Sequence, residues 1–373
     1  MFGAFHADIK IRGAGGSAAE TSHFVSLDNQ SEENAHSQRP QNFTEHKQLK
    51  APRMMKVPET ARFGIELELS SAMQLQAETV APYLQDTDIE VHVIRDYRQG
   101  RSTSDQWKLV PDGSIVCSAS QPDCNKFELV SPPLCAGKGL HHVSRILNRM
   151  ENIQPRLKVN KSMGFHVHVD VSSFTTSQLI KVCQQFVKYE EVLDTFMPSS
   201  RRTGSTESNS YFQSNRGSVE DQIFYGGAVS NRQIHNALEE CHDVPSLVNM
   251  MNRQGRYYKL NMQNLATGRQ PTIEFRQHSA TMNYEKVSAW IRFCIAFCMN
   301  SARLKAPTPF TDRSSLEKKF EGLFQFVIKD RALREFYRNR RDALASGDDD
   351  DCACCTTCAV GRSGGRGCAS KLY

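Results

Sequence analysis

The sequence contains no long run of apolar residues. The longest apolar stretch, from Val287 to Met299, includes Arg292 and is shorter than the roughly 20 residues that a transmembrane helix needs. The segment from Met1 to Gly16 also has no apolar core of the kind that signal peptides carry. We therefore expect a cytoplasmic protein that does not span a membrane.

A large net charge and an internal repeat are also missing. The formal net charge is only +5 over 373 residues, and no dense stripe of Lys and Arg is interleaved with aromatic residues. We therefore expect no nucleic-acid partner. The composition, 39% hydrophobic and 23% charged, is ordinary for a globular protein, and a chain of this length can bury a sizeable core.

The twelve cysteines are not spaced like a disulfide framework. Seven are scattered through the body of the chain, where we expect reduced thiols in a cytosolic protein. The other five crowd the C-terminal tail, at Cys352, Cys354, Cys355, Cys358 and Cys368. Their spacing lacks the paired pattern of common zinc folds, so we expect a disordered tail, with metal binding as the alternative.

Composition divides the chain into three parts. Residues 1–55 are poor in apolar periodicity and rich in Gly, Ser, Asn, Gln and His, which predicts a disordered arm. Residues 56–345 carry regular apolar patterns and form the expected folded domain. The acidic run SGDDDD at 346–351 marks the start of the Cys- and Gly-rich tail, which extends to residue 373.

Two hydrophobic periodicities alternate within the folded domain. Segments of period 2 predict strands at Arg62–Ser70, Gln106–Leu109, Asn125–Val130, Met163–Val171 and Thr272–His278. Segments of period 3.6 predict helices at about 138–151, 177–196, 284–304, 314–329 and 330–344, with a long loop at 198–220. Because few β-α-β units occur, we expect an α+β fold with a mainly antiparallel sheet and flanking helices.

The strand RFGIELELS separates two kinds of side chain. Its even-numbered positions place Glu66 and Glu68 on one face, about 7 Å apart, while the odd-numbered positions are apolar. A slip of one residue would expose the apolar face, so the register is well specified. An ordinary solvated face explains this strand when it is considered alone.

Three further strands repeat the separation of polar and apolar faces. GFHVHVD carries His166 and His168, KFELV carries Glu128, and TIEFRQH is predicted to present Glu274, Arg276 and His278 together. Between RFGIELELS and KFELV, an Asp-Gly turn presents Asp112 and Ser114.

Four such strands together concentrate carboxylates and imidazoles on one face, which a solvated face does not explain. So much negative charge requires cations, and a carboxylate-rich ligand set suits Mg²⁺ or Mn²⁺ better than Zn²⁺. Arginines are available to contact phosphates, namely Arg276, Arg201, Arg202, Arg216 and Arg256.

Six motifs in this order resemble the amidoligase family, which belongs to the superfamily of glutamine synthetase and glutamate–cysteine ligase. They are FGIELEL, WKLVPDGS, FELVSPPL, GFHVHVD, KLNMQNL and TIEFR, and they extend from about Arg62 to Phe297. The resemblance implies a glutamine-synthetase-like catalytic domain at 56–345. It further implies an ATP- and Mg²⁺-dependent ligase that joins a carboxylate to an amine through an acyl phosphate.

The resemblance also implies a role for each matching residue. The residues that match the metal ligands of the family are Glu66, Glu68, Glu128, His166 and Glu274. His168 is implied to lie near the phosphates of the cofactor ATP, and Arg276 to contact the transferring phosphoryl group. Asp112 and Ser114 match the turn that lines the amine or substrate side. We further predict that Ser114 binds the cofactor and that Asp112 acts in catalysis, for example by taking a proton from the ammonium. Asn261 and Asn264 match polar residues on the substrate side. Met163 stands where the family often has Cys, and the cysteine-rich tail is not part of the family pattern.

Two alternative functions compete with the ligase. The first is a metal-dependent hydrolase built on His166 and His168, although zinc hydrolases use fewer ligands than the carboxylates present here. The second is a catalytically degenerate family member that binds a nucleotide or a peptide. For the ligase, the expected partners are a carboxylate and an amine, supplied by amino acids, peptide termini, protein side chains or polyamines.

Overall fold

The computed structural model describes residues 57–96, 105–119, 121–204, 210–224, 226–304 and 314–347. All of them belong to one compact unit, residues 52–373. The arm predicted at 1–55 and the cysteines of the tail predicted at 346–373 lie outside the described residues. No helix within the described residues is long and apolar enough to cross a membrane.

Strands and helices follow each other along the described chain. The strands are β1 Arg62–Ala72, β2 Val91–Val93, β3 Trp107–Pro111, β4 Cys124–Val130, β5 Leu134–Cys135, β6 Phe165–Asp170, β7 Leu260–Asn261 and β8 Thr272–Phe275. The helices are α1 Ala77–Leu84, α2 Ala136–Glu151, α3 Thr176–Thr195, α4 Asn215–Ile223, α5 Asn231–Glu239, α6 Val244–Met251, α7 Gln263–Ala266, α8 Tyr284–Arg303, α9 Leu316–Gly322 and α10 Arg331–Ser346.

The strands pair into one sheet with the order β2-β3-β4-β1-β6-β8-β7, and the short strand β5 pairs with β1. Only β2 and β3 run parallel among the described strands; the other pairs are antiparallel. The predicted α+β class with a mainly antiparallel sheet and flanking helices is therefore confirmed. Strand β1 lies in the middle of the sheet, which places its two glutamates at the centre of the polar face.

Aromatic residues of the long helices cover the apolar face of the sheet. Phe275 of β8 contacts Phe186 of α3 and both Trp290 and Phe297 of α8, with ring centroids about 6 Å apart in each pair. The apolar side chains of β1 belong to the same core, and Leu67 is completely buried. This packing closes the apolar face of the sheet, so the opposite, polar face is the one that stays open.

The prediction of a long loop at 198–220 is wrong in part, because the segment contains helical elements. It contains two 3-10 helices, Ser199–Arg201 and Ser210–Phe212, and the start of α4. The side chain of Ser214 caps α4, and buried Asn215 donates to the carbonyl oxygens of Met251 and Leu260. These distant partners stabilise a helix that has no apolar periodicity of its own. The predicted helix at 314–329 begins as α9 and continues as a π-helix, Leu323–Ile328.

The expectation that all body cysteines are reduced is also wrong. Cys117 and Cys124 form a disulfide, with their Cα atoms 5.9 Å apart. The chain reverses between β3 and β4, and this reversal brings the two residues within disulfide reach. The remaining cysteines of the described residues are free, at Cys135, Cys183, Cys241, Cys294 and Cys298.

Helix α2 packs so closely on the sheet that it has room only for glycine at one position. A Cβ atom on Gly139 would lie 2.6 Å from the Cβ of Leu134 and 3.1 Å from the ring of Phe63. Gly139→Ala should therefore lower the free energy of unfolding by about 1–3 kcal/mol, the usual cost of overpacking. Thermal or urea unfolding will measure it.

Gly137→Ala is the matched control on the same helix. A Cβ atom at Gly137 would make ordinary contacts of 3.5 Å with Glu59. Because alanine favours helices over glycine, this variant should be as stable as the original protein or slightly more stable. Equal destabilisation by both variants would contradict the close packing at Gly139.

Candidate active site

The strand register gathers the predicted polar residues on the open face of the sheet. Glu66 pairs with His166, Glu68 pairs with Glu128, and His168 pairs with Glu274. Directly paired residues of antiparallel strands point to the same face. Residues that lie far apart along the chain therefore become neighbours on four adjacent strands.

Glu66 lies between the two histidines. Its Oε2 is 3.3 Å from Nδ1 of His166, and its Oε1 is 3.1 Å from Nε2 of His168. Glu274 approaches the same imidazoles, with its Oε1 3.5 Å from Nδ1 of His166. The centre of the site is therefore a compact set of carboxylate oxygens and ring nitrogens.

Neighbouring groups orient the outer carboxylates. Glu274 accepts a hydrogen bond of 2.6 Å from Nδ2 of Asn261 and pairs with Nη1 of Arg276 at 2.5 Å. Glu68 accepts a hydrogen bond of 2.7 Å from the backbone N–H of Gly164. These contacts hold both oxygens of Glu274 and one oxygen of Glu68, so the side chains are set in place before any ligand binds.

Three groups of side chains have the spacing needed to hold a metal ion. Their ligand atoms lie within 4.8 Å of one another in the sets Glu66–Glu128–His166, Glu66–His168–Glu274 and Glu68–Asp112–Glu128. Glu66 belongs to the first two sets and Glu128 to the first and third, so neighbouring cation sites would have carboxylates in common. The donors are mainly carboxylate oxygens, which fit Mg²⁺ or Mn²⁺.

Glu128 is the side chain that most clearly needs a cation. It is only 9% exposed, and it forms neither a hydrogen bond nor an ion pair with the described residues. Burial raises the pKa of Glu128 well above its ordinary value, and the charges of Glu66, Glu68 and Asp112 act in the same direction. A bound cation would remove this penalty.

The other central groups are tuned by their pairing. Burial opposes ionisation of Glu66, but His168 and His166 outweigh it and hold the pKa of Glu66 well below its ordinary value. Burial likewise opposes the charged form of His168, yet Glu66 and Glu274 raise its pKa. The pKa of Glu274 is lowered because Arg276 and His168 outweigh its burial. Glu66, His168 and Glu274 therefore favour their charged forms although burial opposes them.

The cluster forms the floor of a cleft of about 1470 Å³. The cleft is lined by every residue for which a catalytic, cofactor or metal role is predicted: Glu66, Glu68, Asp112, Ser114, Glu128, His166, His168, Glu274 and Arg276. Asn261 and Asn264 also line it. At its edge, Ser114 donates through both its backbone N–H and its hydroxyl to Oδ1 of Asp112, so the Asp-Gly turn is internally braced.

The candidate arginines separate into two groups. Arg201 and Arg256 line the cleft, whereas Arg202 and Arg216 are absent from its lining. Arg202 donates to the carbonyl oxygen of Met197, and Arg216 pairs with Glu220. The prediction of phosphate contacts at Arg202 and Arg216 therefore has no geometric support.

His278 does not share the polar face with Glu274 and Arg276, which corrects the prediction. Strand β8 ends at Phe275, and the backbone that follows turns the imidazole into the core. There His278 is 2% exposed, with its ring centroid 5.3 Å from that of Trp290 and 5.9 Å from that of Phe165. An extended period-2 pattern cannot reveal where a strand stops.

The cleft also contains residues that the sequence interpretation missed. Lys108 lies on β3 with 4% of its surface exposed, and Arg269, Tyr211 and Tyr257 line the walls. A signal for Lys108 was available, because it alternates with buried Trp107 and Leu109 on a strand. Tyr257 and Arg269 come from connections between elements and Tyr211 from a short 3-10 helix, and no periodicity marks any of them.

Without a cation, the protein should lose stability as the pH rises. Because the pKa of Glu128 is raised in the folded state, this group contributes to the stability of the fold at low pH. The contribution is fully present below the pKa of the unfolded chain, about 4.3, and is lost as the pH rises through the pKa of the folded state. The pKa values of Glu68 and His168 are also raised, so these groups likewise contribute stability that is lost as the pH rises. We expect the melting temperature of metal-free protein to fall by a few degrees between about pH 5 and pH 8.

Two comparisons test the origin of this slope. Glu128→Gln removes the titrating group, so its melting temperature should fall less over the same pH range. Saturating Mg²⁺ should raise the melting temperature of the original protein most at high pH, because the cation binds ionised carboxylates of the folded state. If the metal-free slope were the same in Glu128→Gln and in the original protein, the crowding of charge at Glu128 would be refuted.

The comparison with family models agrees with the sequence motifs. A family model described as "Putative amidoligase enzyme" matches residues 59–298. No curated protein sequence matches the chain. Among solved structures, a bifunctional glutathione synthetase from Pasteurella multocida is similar at 12% identity and a TM-score of 0.36. The similarity covers 77% of this chain and 48% of the synthetase chain. A glutamine synthase homolog is similar at 10% identity and a TM-score of 0.39, covering 78% and 68%. This chain thus spans about half the length of the synthetase.

Proposed function

This chain belongs to the amidoligase family, and we propose that it is an ATP- and Mg²⁺-dependent ligase that joins a carboxylate to an amine. The observation that carries the proposal is the geometry of the polar face. Three adjoining sets of carboxylate and histidine ligands share Glu66 and Glu128, and Arg276 lines the same cleft. The arrangement suits the handling of several negative charges at once, which phosphoryl transfer requires.

The chemistry needs activation because a carboxylate is a poor electrophile. A carboxylate oxygen of the acid attacks the γ-phosphorus of ATP, and the bond to the bridging oxygen breaks, so that ADP leaves. The amine nitrogen then attacks the carbonyl carbon of the acyl phosphate. Phosphate leaves with the electron pair of the broken C–O bond, and the nitrogen loses a proton. Positioning and charge neutralisation contribute more to such steps than covalent help from the protein.

The proposed ligands for the cations come from the three sets. Glu66, Glu68, Glu128, Glu274 and His166 would hold divalent cations, which neutralise phosphate oxygens when bound. His168, on the same floor, would lie toward the nucleotide phosphates. Ser114 braces the Asp-Gly turn at the edge of the cleft, where it would contact the bound nucleotide or substrate.

Arg276 would contact the transferring phosphoryl group. It is anchored through Nη1 to Glu274, while its Nε is buried with no hydrogen-bond partner among the described residues. A planar guanidinium presents two parallel donors that fit phosphate oxygens, which an ammonium cannot do. Anchoring on one side leaves the rest of the donor fork for a ligand.

Asp112 has two roles open to it in this proposal. It would take the proton from the attacking ammonium, which requires a carboxylate at the amine side of the cleft. One of its oxygens also lies within 4.8 Å of a carboxylate oxygen of Glu68 and of Glu128, so Asp112 would complete the third cation set. The same carboxylate would then border both the cations and the amine.

Arg276→Lys tests the role of the guanidinium. If Arg276 acts mainly on charge that develops as the phosphoryl group moves, kcat should fall by about 10²-fold or more. The KM for Mg–ATP should change little, because the ground state keeps a positive charge at this position. Steady-state kinetics will measure both constants.

Arg216→Lys is the control for that variant, since Arg216 pairs with Glu220 outside the cleft. It should leave kcat unchanged. If Arg276→Lys kept a normal kcat and only lowered the melting temperature, Arg276 would be a structural residue and not part of the active site.

ATP-dependent phosphate release separates the ligase from its alternatives. With Mg²⁺, the purified protein should release phosphate only when a suitable acid and amine are both present, and mass spectrometry should detect the condensation product. Glu66→Ala should abolish turnover and weaken Mg–ATP binding. A protein that binds one zinc tightly and ignores Mg²⁺ would instead be a hydrolase, and one that binds ATP without turnover would be degenerate.

A further inference from the structure

A polar network, buried except for the partly exposed Asp194, lies behind the wall of the cleft. It consists of Glu190 and Asp194 of α3, Lys259 next to β7, and Gln277 after β8. The side chain of Lys259 is completely buried, with its Nζ 3.1 Å from Oε1 of Glu190 and 2.5 Å from Oδ1 of Asp194. None of these four residues lines the cleft.

The network is bonded to the main chain of two cleft arginines. Gln277 donates through Nε2 to Oδ1 of Asp194 at 2.5 Å and to the carbonyl oxygen of Arg201 at 2.9 Å. The backbone N–H of Arg276 donates to the carbonyl oxygen of Lys259 at 2.8 Å. Two members of the network, Gln277 and Lys259, therefore bond directly to the main chain of Arg201 and Arg276.

Arg201 and Arg276 lie near each other on the cleft wall, because Gln277, which bonds to the carbonyl oxygen of Arg201, directly follows Arg276 in the chain. Burial lowers the pKa of Arg201 to about 10; Glu68 opposes this shift and the charge of Arg276 adds to it. The Arg201 guanidinium donates to the carbonyl oxygen of Met163 and lies 4.8 Å from the ring centre of Phe212. The Nε atoms of both arginines are buried without a hydrogen-bond partner among the described residues.

Two like charges held together in a buried wall repel each other, and they suit an anion bound between them. A buried ion network is a weak source of stability, because apolar residues of the same volume often stabilise equally well. Its more specific use is to impose one arrangement on the groups around it. Here the network sets the distance between the turn that carries Arg201 and the strand end that carries Arg276.

We propose that Gln277, Asp194 and Lys259 are positioning residues that hold Arg201 beside Arg276, so that both guanidinium groups contact the same anionic group. That group is the transferring phosphoryl, and this part of the inference rests on the proposed ligase function. Gln277 is the specific link, because it alone of the three bonds directly to the main chain of Arg201.

Gln277→Leu removes that link and keeps both the side-chain size and the Lys259–Asp194 ion pair. A misplaced Arg201 should lower kcat by about tenfold or more. The double variant Gln277→Leu with Arg201→Met should be hardly slower than Arg201→Met alone, because Gln277 acts through Arg201. If the two effects on kcat multiply, the inference is overturned.

Gln184→Leu is the matched control. Gln184 is a buried glutamine of α3 that donates to the carbonyl oxygen of His235 at 3.0 Å, and it does not line the cleft. Both leucine variants lose a buried hydrogen bond and should melt at a lower temperature. Only Gln277→Leu should lower kcat per folded molecule; an equal loss in both variants would reveal a merely structural role.

Amide hydrogen exchange separates this inference from the proposed function. The backbone N–H of Thr203 donates to Oδ2 of Asp194, so peptides covering Ser199–Thr203 report the state of the turn. They should exchange faster in Gln277→Leu and at the original rate in Gln184→Leu. Unchanged exchange in Gln277→Leu overturns the positioning role. Absence of ATP turnover in the original protein, with faster exchange in Gln277→Leu, overturns only the ligase function.

Discussion

Repulsion among carboxylates on one face of the sheet is the constraint on which the rest of the structure depends. Glu66, Glu68, Glu128 and Glu274 lie on neighbouring strands, and burial strengthens every interaction between them. Two histidines and Arg276 offset part of this charge. Glu128 is left without a counterion among the described residues, and bound cations would complete the balance.

A rigid support is needed to keep such charges together. The apolar side of the sheet provides it, since the aromatic rings of α3 and α8 interlock against β8 and prevent the strands from separating. Gly139 lets α2 approach β1 and β5 at close range. The polar face can therefore be preorganised, and preorganised groups lose little free energy to rearrangement when charge moves during a reaction.

The arginine side of the cleft is supported differently. Its main chain is held by a network of buried charges instead of apolar packing, because Arg201 lies on a short 3-10 helix with little core of its own. The cleft thus combines a floor fixed by strand register with a wall fixed by hydrogen bonds. This division assigns most of the proposed cation ligands to the sheet and part of the proposed phosphate contacts to a connection.

The sequence by itself determined the floor of the site. Alternation in β1, β4, β6 and β8 assigns Glu66, Glu128, His166 and Glu274 to the face opposite the core, because successive residues of a strand point to opposite sides. The motif order was sufficient to recognise the family, and both the α+β class and the antiparallel sheet followed from the same patterns.

Only the tertiary structure decided what the strand period does not encode. His278 leaves the polar face because β8 ends at Phe275, and Cys117 meets Cys124 because the chain reverses between two strands. Arg201, Lys259 and Gln277 meet through contacts between residues as many as 76 positions apart. Such contacts depend on how whole elements pack, so no local pattern in the sequence could separate Arg201, which lines the cleft, from Arg202, which does not.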